Sequence, residues 1–255
     1  MTKKHTTILL ALAATLFTTT GIAQKQFKAL LFTRTMGFHH ESINEGVTAI
    51  KAMAERQFFE VSWQEDPAQF TDDNLKQYSV IIFLNTTGDV LNEEQQAAME
   101  RFIRAGKGFV GIHSASDTEY DWAWYAQLVG RQFRIHPAIQ TARIKVLDRK
   151  FPGSELMPDE RLWTDEWYEY GEEKIAGLHY LLSVDETTFN PVADWGRVSG
   201  KGMGSFHPLA WYHEFDGGRA FYTGLGHMGS KYTDPAFLEH LYGGIYWAAT
   251  GKGMK

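Results

Sequence analysis

Histidine changes charge near neutral pH and is the commonest metal ligand. Three histidines stand where short apolar runs end. His40 lies in the loop after Phe27 to Thr33, His113 ends Gly108-Phe109-Val110-Gly111-Ile112-His113, and His227 follows Arg219 to Leu225. Such runs are strand-like, and an open α/β sheet binds ligands at the carboxyl ends of its strands. If the three ends share one rim, the imidazoles converge there. With a carboxylate they make the usual ligand set of Zn²⁺ and similar divalent metals. Without a metal, the same groups would act as general acid and base. His207, which precedes Pro208, is a fourth candidate ligand.

The rim needs acids as well. Asp117 and Glu166 are the stronger candidates for proton transfer, joining His113 and His227 as the expected catalytic set. Glu41 and Asp165 read as exposed, solvated acids. Arg34, His39 and Arg134 could hydrogen-bond hydroxyls or a carboxylate on a substrate. Ser114 has no base nearby in sequence except His113, which makes it a binding group rather than a nucleophile. Trp122, Trp124, Trp167 and Trp211 are candidate stacking faces for sugar rings. His179, His213 and His240 fall within strand or helix patterns and read as packing or surface residues. His136, before Pro137, has no assigned role.

The elements that must position these groups alternate strand with helix. Phe27 to Thr33 is followed by a helix opened by Ser42, with Ile43, Val47, Ile50 and Ala54 at helical spacing. Phe58 to Trp63 alternates like a half-buried strand, and Val80 to Leu84 is a continuous apolar run of the buried parallel kind. Asn92 opens a helix with Gln95 as its capping-box partner, ending at Gly106. The central run 108–113 then enters a polar turn whose Gly-x-His-x-Ala outline resembles a nucleophile elbow with His113 at the exposed position. This order predicts an α/β fold: a flavodoxin-like, open, mostly parallel sheet with helices on both faces. Beyond Asp121, a short helix runs from Trp124 to Val129, and Ile139 to Leu147 alternates like an edge strand. Residues 148–205 read as a β-containing insertion or lid. Asp216-Gly217-Gly218 joins a hairpin, and Asp234-Pro235 opens a closing helix to about Thr250.

Lys3 and Lys4, the apolar run Ile8 to Phe17 and Gly21-Ile22-Ala23 follow the order of a secretory signal peptide. Residues 1–23 are therefore expected to be removed, leaving one domain, 24–255, that is exported to the periplasm or beyond without stable membrane insertion. The 255-residue chain has no cysteine, which excludes disulfides, a lipid-modified N-terminal Cys and any thiol nucleophile. Its formal charge is −6. An acidic surface disfavours nucleic acid as partner and fits a small polar molecule better. A homo-oligomer is compatible with all of this.

Six stretches together resemble the ThuA-like, or trehalose-utilisation, family. They are Phe38-His39-His40-Glu41-Ser42-Ile43, Gly111 to Thr118, Phe133 to Pro137, Asp165-Glu166-Trp167-Tyr168, His207 to Trp211, and Gly218 to His227. The resemblance implies a class I glutamine amidotransferase-like fold, in which an elbow carries Cys and a late strand delivers His. Here His113 holds the elbow and His227 the late position, so amidotransfer through a thiol is excluded. It also implies a carbohydrate context, notably sugars oxidised to keto form.

The resulting expectation is an exported enzyme acting on a glycoside or keto-sugar as a metal-assisted hydrolase, lyase or isomerase. No nucleotide cofactor is expected. The competing readings are a non-catalytic sugar-binding module on the same rim and a metal-free enzyme in which the histidines move protons.

Overall fold

Val80-Ile81-Ile82-Phe83-Leu84 is buried at every residue, as a strand covered on both faces must be. It lies within a nine-stranded mixed sheet in the computed structural model, which describes residues 24–171 and 175–253. The proposed leader, 1–23, lies outside the described residues. In chain order the strands are β1 (Lys28–Phe32), β2 (Glu60–Gln64), β3 (Val80–Leu84), β4 (Gly108–Ile112), β5 (Phe133–Ile135), β6 (Gln140–Val146) and β7 (Glu160–Asp165). They continue as β8 (Glu169–Tyr170), β9 (His179–Asp185), β10 (Ala193–Asp194), β11 (Ser199–Gly200), β12 (His207–Phe215) and β13 (Gly218–Thr223). The helices are α1 (Ile43–Arg56), α2 (Asp72–Leu75), α3 (Glu93–Arg104), α4 (Ala123–Val129) and α5 (Pro235–Thr250).

The sheet order is β2-β1-β3-β4-β13-β12-β9-β6-β7. From β2 to β13 every neighbouring pair is parallel, whereas from β13 to β7 every pair is antiparallel. The carboxyl ends of β1, β4 and β13 therefore share one rim. Counting reversals from β13, β7 also ends at that rim, although four strands away. Its last residue, Asp165, accepts hydrogen bonds from the amides of Gly226 and His227, so the antiparallel half curls back over the end of β13. Arg161 of β7 pairs with Asp234 at the start of α5 (2.7 Å), on the same curled path.

Alternation along the strands divides the core. Ala29, Leu31, Val80, Ile82, Val110 and Ile112 pack toward α1 and α5. Leu30, Phe32, Ile81, Phe83 and Phe109 pack toward α3 and α4. The Asn92–Gln95 capping box forms as the sequence predicts, and Asp234 caps α5 through the amides of Ala236 and Phe237. Ser42 precedes α1 but makes no side-chain cap. Its hydroxyl donates to Gly226 O (3.1 Å) and accepts from Asn85 (2.9 Å), so it links three strand ends instead. The stretch expected as an edge strand, β6, is flanked by β9 and β7, and β7 holds the edge. Of the segment 148–205, β7 and β9 belong to the main sheet, β8 pairs with β5, and β10–β11 form a small hairpin.

Candidate functional site

The turn after β4 is strained at one residue. His113 adopts φ 51°, a left-handed backbone that costs a non-glycine residue about 1–2 kcal/mol. Tyr222 offsets this by donating its hydroxyl to the His113 carbonyl at 2.8 Å. The elbow aims the His113 ring across the rim, where Nδ1 lies 2.9 Å from Gly224 O. A carbonyl only accepts, so Nδ1 carries the proton and Nε2 presents its lone pair.

One ligand atom each from His40, His113, Glu166 and His227 lie within 4.8 Å of one another. Glu166 Oε2 is 3.4 Å from His113 Nε2 and 3.0 Å from His227 Nδ1. Despite that distance, His227 Nδ1 is buried without a well-directed hydrogen bond. Bonds of about 2.0–2.2 Å to a tetrahedral Zn²⁺ place neighbouring donors about 3.3–3.6 Å apart, close to the two measured separations. Held imidazole N–H groups, as on His113, are the usual support of a metal-bound histidine. With His40 the four groups span up to 4.8 Å, a donor set of the kind and size that could hold a divalent metal. His40 Nδ1 lies 3.2 Å from Ser114 Oγ, which positions its ring.

The electrostatics follow from crowding. His40 is pushed down to about 2 by burial and by the neighbouring His113 and His227. Burial works against the charged form of Glu166, yet the His113 and His227 imidazoles against its carboxylate hold it well below the usual carboxylate range. Burial likewise opposes charge on His227, but Glu166 overrides it and raises the imidazole. Asp117 is displaced upward, chiefly by burial, with Tyr120 Oη donating to its Oδ1 at 2.7 Å in partial compensation.

Several expected site residues are engaged elsewhere. His207 is buried with Nδ1 on Glu186 (2.7 Å) and Nε2 on Tyr168 O (2.8 Å), so neither nitrogen is free for a metal. Trp167 and Trp211 are fully buried core residues whose indole N–H groups donate to Gln140 O and Val129 O, and neither can face a sugar. Trp122 and Trp124 stack on each other and bond Glu100 and Asp216, away from the rim. Arg134 is spent on Glu169 and Ser199 O, bracing the β11 loop. Arg34 contacts Met36 Sδ (3.3 Å), and His39 is exposed with Nδ1 3.1 Å from Thr35 Oγ1. Asp165, expected in solvent, is fully buried.

Two neighbours of the cluster were not assigned from sequence. Tyr168 Oη lies 2.9 Å from His113 Nε2, and burial keeps the phenol protonated. His136 Nε2 lies 3.4 Å from the other Glu166 oxygen, Oε1. The exposed aromatic rings beside these groups are Phe38 (64% exposed), 4.9 Å from His40, and Trp195 (52%), 4.9 Å from His136. Position after Asp165-Glu166 and before a proline was the available signal for Tyr168 and His136. Nothing in the local sequence marks Trp195.

A mixed sheet whose parallel half carries an elbow after β4 and a site at its strand ends defines an α/β protein with a flavodoxin-like, glutamine amidotransferase-like fold, with imidazole at the elbow. The family described as trehalose utilisation, ThuA, matches residues 28–248, and the chain belongs to it. ThuA-like proteins of Bacteroides uniformis and Parabacteroides merdae share the fold with TM-scores of 0.71 and 0.71. Identities are 20% and 18%, over 88% and 91% of this chain and 92% of each of theirs. A β-galactosidase from Bacillus circulans also superposes, with TM-score 0.52 and 13% identity, over 88% of this chain but 31% of its own. No curated protein matches the chain.

Proposed function

We propose that the protein is an exported carbohydrate-active enzyme that binds one divalent metal and acts on a glycoside or keto-sugar as a hydrolase, lyase or isomerase. The observation that carries this reading is the convergence of His40, His113, Glu166 and His227. A metal held by these side chains would polarise a carbonyl or activate water. Asp117 is the proton-transfer group, its carboxyl raised by burial and one of its oxygens held by Tyr120. Glu166, engaged by three imidazoles, serves as a ligand and charge anchor rather than a free base. Tyr168 orients His113, and Trp195 beside His136 offers a face for a sugar ring.

Elemental analysis of protein purified without added metal tests the centre. One divalent ion per chain, lost together in His113→Ala and His227→Ala with turnover of glycosides and keto-glycosides, is the expected result. Unchanged turnover in both variants would sink the reading. A metal-free enzyme is favoured by one observation: Tyr168 and Gly224 O already satisfy both His113 nitrogens. Activity that persists in chelated, metal-free protein would select it.

A further inference from the structure

An unprotonated imidazole nitrogen offers one in-plane lone pair, and at His113 Nε2 two partners contend for it. The Nδ1 proton is committed to Gly224 O at 2.9 Å, so Nε2 must accept, and the donor in place is Tyr168 Oη, also at 2.9 Å. A metal ligated by Nε2 takes that same lone pair. The hydroxyl and a metal therefore exclude each other at this nitrogen, and loading the cluster releases the phenolic O–H.

Its surroundings limit where that O–H can turn. Tyr168 is buried, with the Phe133 ring 4.2 Å away and His136 stacked at 5.7 Å. His207 Nε2 holds its backbone carbonyl at 2.8 Å, and among the described residues the hydroxyl has no hydrogen-bond partner besides His113. A buried O–H left without an acceptor is costly. Glu166 Oε2 is 3.4 Å from the same Nε2, but it also faces His227 and is spent as a ligand. The cluster opens to solvent at His136 and His227, whose side chains are 23% and 19% exposed. A molecule entering there passes the ring on which Tyr168 stacks, and its oxygen becomes the acceptor. A phenol keeps its proton near neutral pH, so it brings a donor and not a base.

We propose that Tyr168 is a catalytic residue: with the cluster loaded, its hydroxyl leaves His113 and donates to the substrate oxygen on which negative charge gathers. The proposal rests on the metal-centre reading above. It adds a second electrophile supplied by the chain, and it makes the Tyr168–His113 hydrogen bond the arrangement of the unloaded site only.

Cobalt(II) in place of zinc makes the centre visible by its absorption, and acetohydroxamate brings an anionic oxygen to it. In the full chain, wild type and Tyr168→Phe are compared for cobalt affinity, by competition with a chelator, and for hydroxamate affinity, by titrating the visible band of loaded protein. Tyr168→Phe should bind cobalt at least as tightly as wild type, because the rival for Nε2 is gone, yet bind hydroxamate about tenfold more weakly. Weaker cobalt binding in the variant marks a residue that only orients His113, and equal hydroxamate affinity marks a hydroxyl that never reaches the bound oxygen. Either result overturns the proposal and leaves the metal centre standing. So does the ultraviolet band of tyrosinate appearing when wild type is loaded, since the phenolate would then be a ligand; this measurement needs no variant. No cobalt uptake by wild type overturns the centre, and the proposal with it. Thermal melts of metal-free protein verify that Tyr168→Phe folds.

Discussion

The amide N–H of His227 donates to Asp165 Oδ1 at 3.1 Å, joining residues 62 positions apart. The same carboxylate accepts from the amides of Glu166 (3.1 Å) and Gly226 (3.0 Å) and from the Trp163 indole (3.0 Å). One fully buried acid thus fixes the backbone of two of the four cluster residues. Asp165→Asn turns an NH₂ group toward these donors. Zinc affinity should fall about 10–100-fold, as for other groups that support metal ligands. Competition with a chromophoric chelator measures this, and thermal melts of chelated protein report the structural cost separately. Unchanged zinc affinity would show that Asp165 only holds the fold.

His207 provides the contrast. Its nitrogens hold Glu186 and the Tyr168 carbonyl, and Glu186 in turn accepts from the amides of Met203 and Gly204. His207→Ala should therefore keep one zinc per chain while costing about 1–3 kcal/mol of stability from the buried groups left unpaired. His113→Ala should lose the metal. Loss of zinc in His207→Ala would place it in the centre after all.

The tryptophans separate core from surface. Trp211 packs on Tyr222 at 4.5 Å in the middle of the sheet, so Trp211→Ala should cost about 3–5 kcal/mol in denaturant unfolding. Trp195→Ala should leave the midpoint unchanged yet weaken sugar binding by about three- to tenfold, the value of one lost stacking face.

The parallel half of the sheet is legible because each of its strands carries its own apolar period and its own punctuation, as at Val80–Leu84 and Asn92–Gln95. From this regularity the convergence of His40, His113 and His227 follows by topology alone. Glu166 is a candidate by residue type, but its arrival at the rim depends on the curl of the antiparallel half, which no local pattern encodes. The burial of Asp165 is hidden for the same reason: its four partners come from its own strand, the residue after it and the loop after β13. Trp167 and Trp211 look like binding residues in composition, and only packing shows that they are core. Phe38 and Trp195, which do face solvent, carry no sequence signal that distinguishes them from the other aromatics.

His240 sets an acid limit on stability. It lies fully buried in α5, 5.2 Å from the Phe221 ring, and neither ring nitrogen has a hydrogen-bond partner among the described residues. Burial pushes its pKa down to about 3, below the unfolded value of 6.5. The sign is set by proton uptake: below pH 6.5 the unfolded chain binds a proton at this site that the folded chain refuses. Its contribution is complete above pH 6.5 and is lost as pH falls from there toward 3, at up to about 1.4 kcal/mol per pH unit. Urea unfolding of wild type and His240→Leu across pH 7.5 to 4 measures the difference. The leucine variant should lose less stability toward acid, with the slope reduced by close to one proton. Parallel curves for the two proteins would mean that His240 is protonated in the folded state.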